Sequence, residues 1–130
     1  MKKVFLYFII FLTTSVGCEK EKSPVYSSSL IGKWSWLISC GGFAGCSTPQ
    51  STGVTMTLVF SQDSTWFRYL NDTLEATGRF YTYKTVTANN LNTNDIIQMG
   101  SIVEKYIIHN DTLDLEAIDY LLGSGWKRIK

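Results

Sequence analysis

Val54, Met56, Leu58 and Phe60 alternate with Thr55, Thr57 and Val59, the period of two that sends successive side chains to opposite faces of a strand. Short alternating runs of this kind recur along the chain, split by Gly, Asn, Asp and Ser, and no long helical periodicity interrupts them. The pattern predicts strands at Leu30–Ile38, Val54–Phe60, Thr65–Leu70, Thr73–Val86, Asp95–Met99, Ile102–His109, Thr112–Glu116 and Gly125–Ile129. Strands joined in sequence by short links favour antiparallel neighbours. Closing them into an up-and-down barrel removes the exposed edges of an open sheet. The expected fold class is therefore all-β, an eight-stranded antiparallel up-and-down barrel.

Facing follows from the links. With Val54, Met56, Leu58 and Phe60 inward, a four-residue link Ser61–Ser64 sets Thr65 opposite Phe60 and carries Phe67 and Tyr69 inside. Asn71-Asp72 is a two-residue hairpin turn, because both residue types tolerate positive φ. It pairs Tyr69 with Leu74, Phe67 with Ala76 and Arg68 with Glu75, the last as a salt bridge on the outer face. Leu74, Ala76, Gly78 and Phe80 then continue the interior. Asn110-Asp111 pairs Ile108 with Leu113 and Tyr106 with Leu115, so Ile102, Glu104, Tyr106 and Ile108 face in. Glu104 is the interior carboxylate of this register, with Lys84, Arg79 or a ligand as its partner, unless it lies in water at an open end. Met56, Phe60, Phe67, Tyr69, Phe80, Glu104 and Tyr106 are the interior candidates for ligand contact. An eight-stranded barrel is either filled by its side chains or holds one small ligand, and both readings remain open.

The N-terminus changes the picture of compartment. Lys2 and Lys3 precede an apolar run from Val4 to Leu12, and Thr13 to Gly17 are small or weakly polar. This order is that of a secretory signal. The run falls well short of the about 20 residues a membrane-spanning helix needs. Ser15-Val16-Gly17-Cys18 resembles the lipobox of bacterial lipoproteins, with Ser15 where that family usually has an aliphatic residue. The resemblance implies cleavage after Gly17, acylation of Cys18 with diacylglycerol and a fatty acid such as palmitate, and anchorage of the chain to a membrane of the bacterial cell envelope. The outer membrane, on its periplasmic or surface face, is the expected site. Two or more acyl chains are needed for stable anchoring. The expected division is a removed signal peptide over 1–17, the lipidated Cys and a flexible tether over 18–29, and one domain over 30–130.

With Cys18 assigned to lipid, Cys40 and Cys46 remain and can pair in an oxidising compartment. Loss of Lys2 and Lys3 leaves ten basic against eleven acidic residues. No basic field for nucleic acid is present. No cofactor motif appears, and two Cys with His109 are too few for a structural zinc.

Gly32, Trp34 and, on the last strand, Arg128 resemble the Gly-x-Trp and terminal-strand Arg of the lipocalin (calycin) superfamily, in particular small lipocalin-like domains behind lipoprotein signals. The resemblance implies that Trp34 plugs the closed end of the barrel, that Arg128 packs across it, and that a ligand enters from the opposite end. It implies a membrane-anchored module for a small lipophilic ligand. An envelope interaction or inhibitor module with a filled barrel is the alternative. The Gly-rich Ser39–Gly53 connection, with Phe43 between the two cysteines, and outward Trp66, Tyr81 and Tyr83 would serve that role. No nucleophile or acid–base constellation surrounds His109, so the chain is not expected to be an enzyme.

Overall fold

The computed structural model describes residues 30–86, 93–118 and 121–130. The expected signal peptide over 1–17, Cys18 and the expected tether lie outside the described residues. Nine strands form one antiparallel sheet: β1 (Gly32–Gly41), β2 (Cys46–Ser47), β3 (Met56–Phe60), β4 (Thr65–Leu70), β5 (Thr73–Val86), β6 (Thr93–Met99), β7 (Ile102–His109), β8 (Thr112–Ala117) and β9 (Leu122–Ile129). β9 pairs back onto β1, with Trp34 opposite Arg128, Trp36 opposite Trp126 and Cys40 opposite Gly123. This pairing closes β1 and β3–β9 into an eight-stranded up-and-down barrel. β2 is an extra short strand on β1.

The turns decide what faces inward. Ser61 N–H donates to the Thr65 carbonyl, Ser64 N–H donates to that of Ser61, and Ser64 takes φ 67°. This is a three-residue loop ending in a left-handed residue, and Asp63 Oδ1 accepts the Thr65 N–H. Phe60 therefore pairs with Trp66, not Thr65. The one-residue difference reverses β4. Trp66 is buried inside, while Phe67 and Tyr69, expected inside, face out beside Val59 and Thr57.

Asn71 and Asp72 both adopt positive φ, 47° and 63°, and form the expected hairpin turn with Tyr69 opposite Leu74. A bulge follows, so that Arg68 pairs with Ala76 and Phe67 with Thr77. Leu74, expected inside, is exposed beside Tyr69 on the outer face. The extra residue, Glu75, restores the inward phase of Ala76, Gly78 and Phe80. The Arg68–Glu75 bridge forms at 2.8 Å, but Arg68 borders the barrel interior, not the outer face. The Asn110-Asp111 hairpin has the expected register, with Tyr106 opposite Leu115 and Ile108 opposite Leu113.

The lower half of the barrel, where the chain enters, is filled. Leu30, Trp34, Phe60, Phe80, Ile97 and Leu113 are essentially inaccessible. Phe60 and Phe80 meet edge to face, with ring centroids 5.2 Å apart. The Ser39–Gly53 connection, read as a long loop, is ordered. Cys40 and Cys46 form a disulfide, with Gly42–Ala44 a 3-10 turn inside it. Chain-entropy arguments value so small a loop at about 2 kcal/mol. A single helical turn, α1 (Pro49–Thr52), follows, capped by Thr48 and Ser51 and ended by Gly53 in the left-handed region.

Candidate functional site

The two ends of the barrel differ in kind. At the lower end Trp34 Nε1 donates to the Leu30 carbonyl at 3.0 Å. The Arg128 guanidinium lies 4.1 Å from the Trp34 ring centroid and donates to the Ile31 carbonyl at 3.0 Å. Gly32 has φ 141°, and a Cβ there would come within 2.8 Å of Arg128 Nη1. All three residues serve one purpose: the indole seals the barrel, the guanidinium covers the indole, and the glycine leaves room for the guanidinium. No ligand can enter here.

The upper end is open. An interior cavity of about 200 Å³ lies among Ser39, Met56, Leu58, Trp66, Arg68, Met99, Ile102, Glu104, Leu115, Ser124 and Trp126. A second depression of about 370 Å³ lies under the disulfide loop and shares Ser39, Glu104 and Ser124 with it. The barrel is thus filled below and hollow above. Of the expected interior residues, Met56 and Glu104 reach the cavity, and Phe60, Phe80 and Tyr106 belong to the packed core. Phe67 and Tyr69 reach neither, for the reason given by the three-residue loop.

Several residues of the mouth went unread from the pattern of positions. Trp66 and Arg68 were hidden by the reversed facing of β4. Ser39 sits inside because a bulge at Leu37 shifts β1 by one residue. Trp126 was legible in principle, since it lies two positions from Arg128 and so shares its face. Trp36 Nε1 donates to Ser39 Oγ at 2.9 Å, and Trp126 Nε1 donates to Ser124 Oγ at 2.8 Å. Each serine keeps its own O–H to give. Trp66 Nε1 is fully buried with no acceptor, and lies against Gly78, where a Cβ would stand 3.1 Å away.

Glu104 is the interior carboxylate that the register of β7 predicts. Among the described residues no cation or hydrogen-bond donor reaches it. Lys84 pairs with Asp95 at 3.2 Å, and Arg79 is exposed on the outer face. Burial holds the Glu104 carboxyl above the usual carboxylate range. Deeper in, burial and the Asp95 charge push the Tyr106 phenol up, against a hydrogen bond with Thr82.

A raised folded value means that the folded protein holds the Glu104 proton more tightly than the unfolded chain does. The stability from this source is complete below the ordinary value of 4.5 and is lost as pH rises through the folded value. Glu104→Gln is therefore expected to raise the melting temperature at about pH 7 and to leave it almost unchanged at about pH 3.5. Thermal unfolding followed by circular dichroism at both pH values checks this. A larger gain at acid pH would contradict it.

The rim carries apolar side chains. Phe43 at the tip of the disulfide loop and Leu121 before β9 are fully exposed, and Ile118 and Leu122 are half exposed. Of the outer aromatics expected, Tyr81 and Tyr83 are exposed, whereas Trp66 is not. His109 is exposed beside its turn, and among the described residues no three His, Cys, Asp or Glu side chains gather as a metal set. Set against protein-family models, curated proteins and solved structures, the chain matches none of them.

Proposed function

We propose that this chain is an exported lipoprotein whose lipocalin-like barrel binds a small, largely apolar ligand through its open end. The observation that carries the binding reading is the asymmetry of the barrel. One end is sealed by Trp34 and Arg128, and the other keeps a cavity of about 200 Å³ with mostly apolar walls and a few polar groups. Concave apolar sites with sparse polar groups are where small ligands bind. The anchoring reading rests on Lys2 and Lys3, the apolar run to Leu12, and Cys18 behind Gly17. Cleavage before Cys18 and its acylation hold the domain at the cell envelope, and a tether over 18–29 leads to the closed end of the barrel. The chain acts as a binding module and not as an enzyme.

Cys18→Ala is expected to abolish incorporation of labelled palmitate and to move the protein from the membrane fraction to the soluble one. Labelling that persists in the variant sinks the anchoring reading. The binding reading is tested by titrating 1-naphthol while following tryptophan emission, since Trp66 and Trp126 border the cavity. An unchanged spectrum at saturating probe would count against it.

One observation favours a second reading. Phe43, Leu121, Leu122 and Ile118 form an exposed apolar rim on two neighbouring loops. They fit an envelope protein docked over the mouth, for which Phe43→Ala would weaken capture without altering the fold.

A further inference from the structure

We propose that Glu104 is the anionic anchor for a small organic cation, a primary amine on an aromatic-sized apolar body, held in the mouth of the barrel. The inference rests on the reading of this cavity as a ligand site and names the ligand's class. Glu104 borders both the interior cavity and the depression under the disulfide loop. A ligand entering from above meets it on the way to the apolar floor.

Among the described residues, no cation of the protein pairs with Glu104. Arg68 holds Glu75 at 2.8 Å, Lys84 holds Asp95 at 3.2 Å, and Lys105 holds Glu116 at 3.2 Å. Arg128 is engaged at the far end with Trp34. The Arg68–Glu75 pair is neutral as a unit, so among the described residues that line the cavity an ionised Glu104 is the uncompensated negative charge. A partly desolvated carboxylate without a partner is costly. An anion in the cavity adds to that cost and a neutral ligand leaves it standing. A cation removes it.

The walls favour the same ligand. Two indoles, Trp66 and Trp126, border the cavity with Leu58, Met99 and Leu115, and indole is the strongest side-chain partner for an organic cation. The volume sets the size. About 200 Å³ is somewhat more than the roughly 150 Å³ of an apolar cavity that binds benzene. That takes one ring with a short chain.

Among the described residues, other charges near Glu104 are few. Tyr106 lies two positions on along β7, Asp95 on β6 is held by Lys84 of β5, and Arg68 comes from β4. The interior positions of β1, β3, β8 and β9 that border the cavity are Ser or apolar. Amine affinity therefore follows Glu104, rising with pH as its carboxyl ionises. Binding at a pH below that transition releases one proton.

The test is calorimetric titration of the full chain with three ligands that share a ring and differ in the head group: phenethylamine, 2-phenylethanol and phenylacetate. The amine is expected to bind about tenfold or more tightly than the alcohol, the range of a hydrogen bond to a charged group, with phenylacetate weakest. Glu104→Gln is expected to bring the amine down to the alcohol's affinity and to leave the alcohol unchanged. Should that variant not fold, wild-type affinity measured across pH decides. A rise for the amine with proton release supports the anchor, and a flat profile overturns it. Alcohol or phenylacetate binding as tightly as the amine overturns the amine class and leaves the cavity a ligand site. Failure of all three together with 1-naphthol overturns both.

Discussion

Trp34→Ala is expected to lower the unfolding free energy by about 3–5 kcal/mol, the cost of truncating a fully buried aromatic side chain. Trp34 has no accessible surface, and its indole packs in the cluster with Leu30, Phe60 and Phe80. Three losses coincide. The cavity left behind is walled by a closed barrel that cannot collapse easily. The Leu30 carbonyl loses its 3.0 Å donor. Arg128 loses the ring it covers at 4.1 Å. Domains of this size are stable by about 5–15 kcal/mol, so the loss is a large part of the whole. Urea unfolding followed by circular dichroism measures it. The double variant with Arg128→Ala separates the contact from the cavity, because a coupling of about 0.5–2 kcal/mol is expected of a partly buried cation over an indole. Costs that simply add would show that the guanidinium contributes through its carbonyl contacts alone. Ligand affinity at the opposite end is expected to survive wherever the variant is folded.

Gly32→Ala is the second large expectation, about 1–3 kcal/mol from backbone strain alone. Its φ of 141° is a conformation L side chains rarely adopt, and the new methyl would lie 2.8 Å from Arg128 Nη1. The guanidinium can leave only by giving up the Trp34 face and the Ile31 carbonyl. The same unfolding measurement, read beside Arg128→Ala, tells the two effects apart. Gly32→Ala costing more than Arg128→Ala means that strain dominates. Equal costs mean that displacement of the guanidinium is the whole effect.

Glu104 has opposite consequences for stability and for the proposed ligand site. Its burial works against the folded protein at neutral pH, and in the proposed site the same burial would favour a ligand of opposite charge. A residue that breaks a local packing rule without a partner inside the protein is where a functional site is expected.

The strand pattern carried most of the architecture. Alternation placed all eight barrel strands within a few residues, and Asn71-Asp72 and Asn110-Asp111 were readable as turns because Asn and Asp tolerate positive φ. The facing of β4 was not readable. Ser61–Thr65 closes as a three-residue loop only because Ser64 accepts φ 67° and Asp63 caps Thr65, and nothing in the alternation of Thr65–Leu70 distinguishes its two apolar faces. Trp66, Arg68 and Leu70 fill one face as well as Phe67 and Tyr69 fill the other. The bulge at Glu75 then returned β5 to its expected phase, so Ala76, Gly78 and Phe80 faced inward as anticipated although their partners on β4 had changed.

From the sequence by itself came the all-β class, the strand order, the inward carboxylate of β7, and the resemblance that set Gly32, Trp34 and Arg128 apart as an end closure. These follow from short-range rules: side-chain period, turn chemistry and residue type. Only the tertiary structure decided that Cys40 and Cys46 join and that the barrel is filled below and hollow above. It also decided that Trp66 and Arg68, not Phe67 and Tyr69, line that hollow. That lining depends on single-residue phase shifts at the Ser61–Thr65 loop and at the bulges of Leu37 and Glu75, where backbone hydrogen bonding outweighs the local pattern.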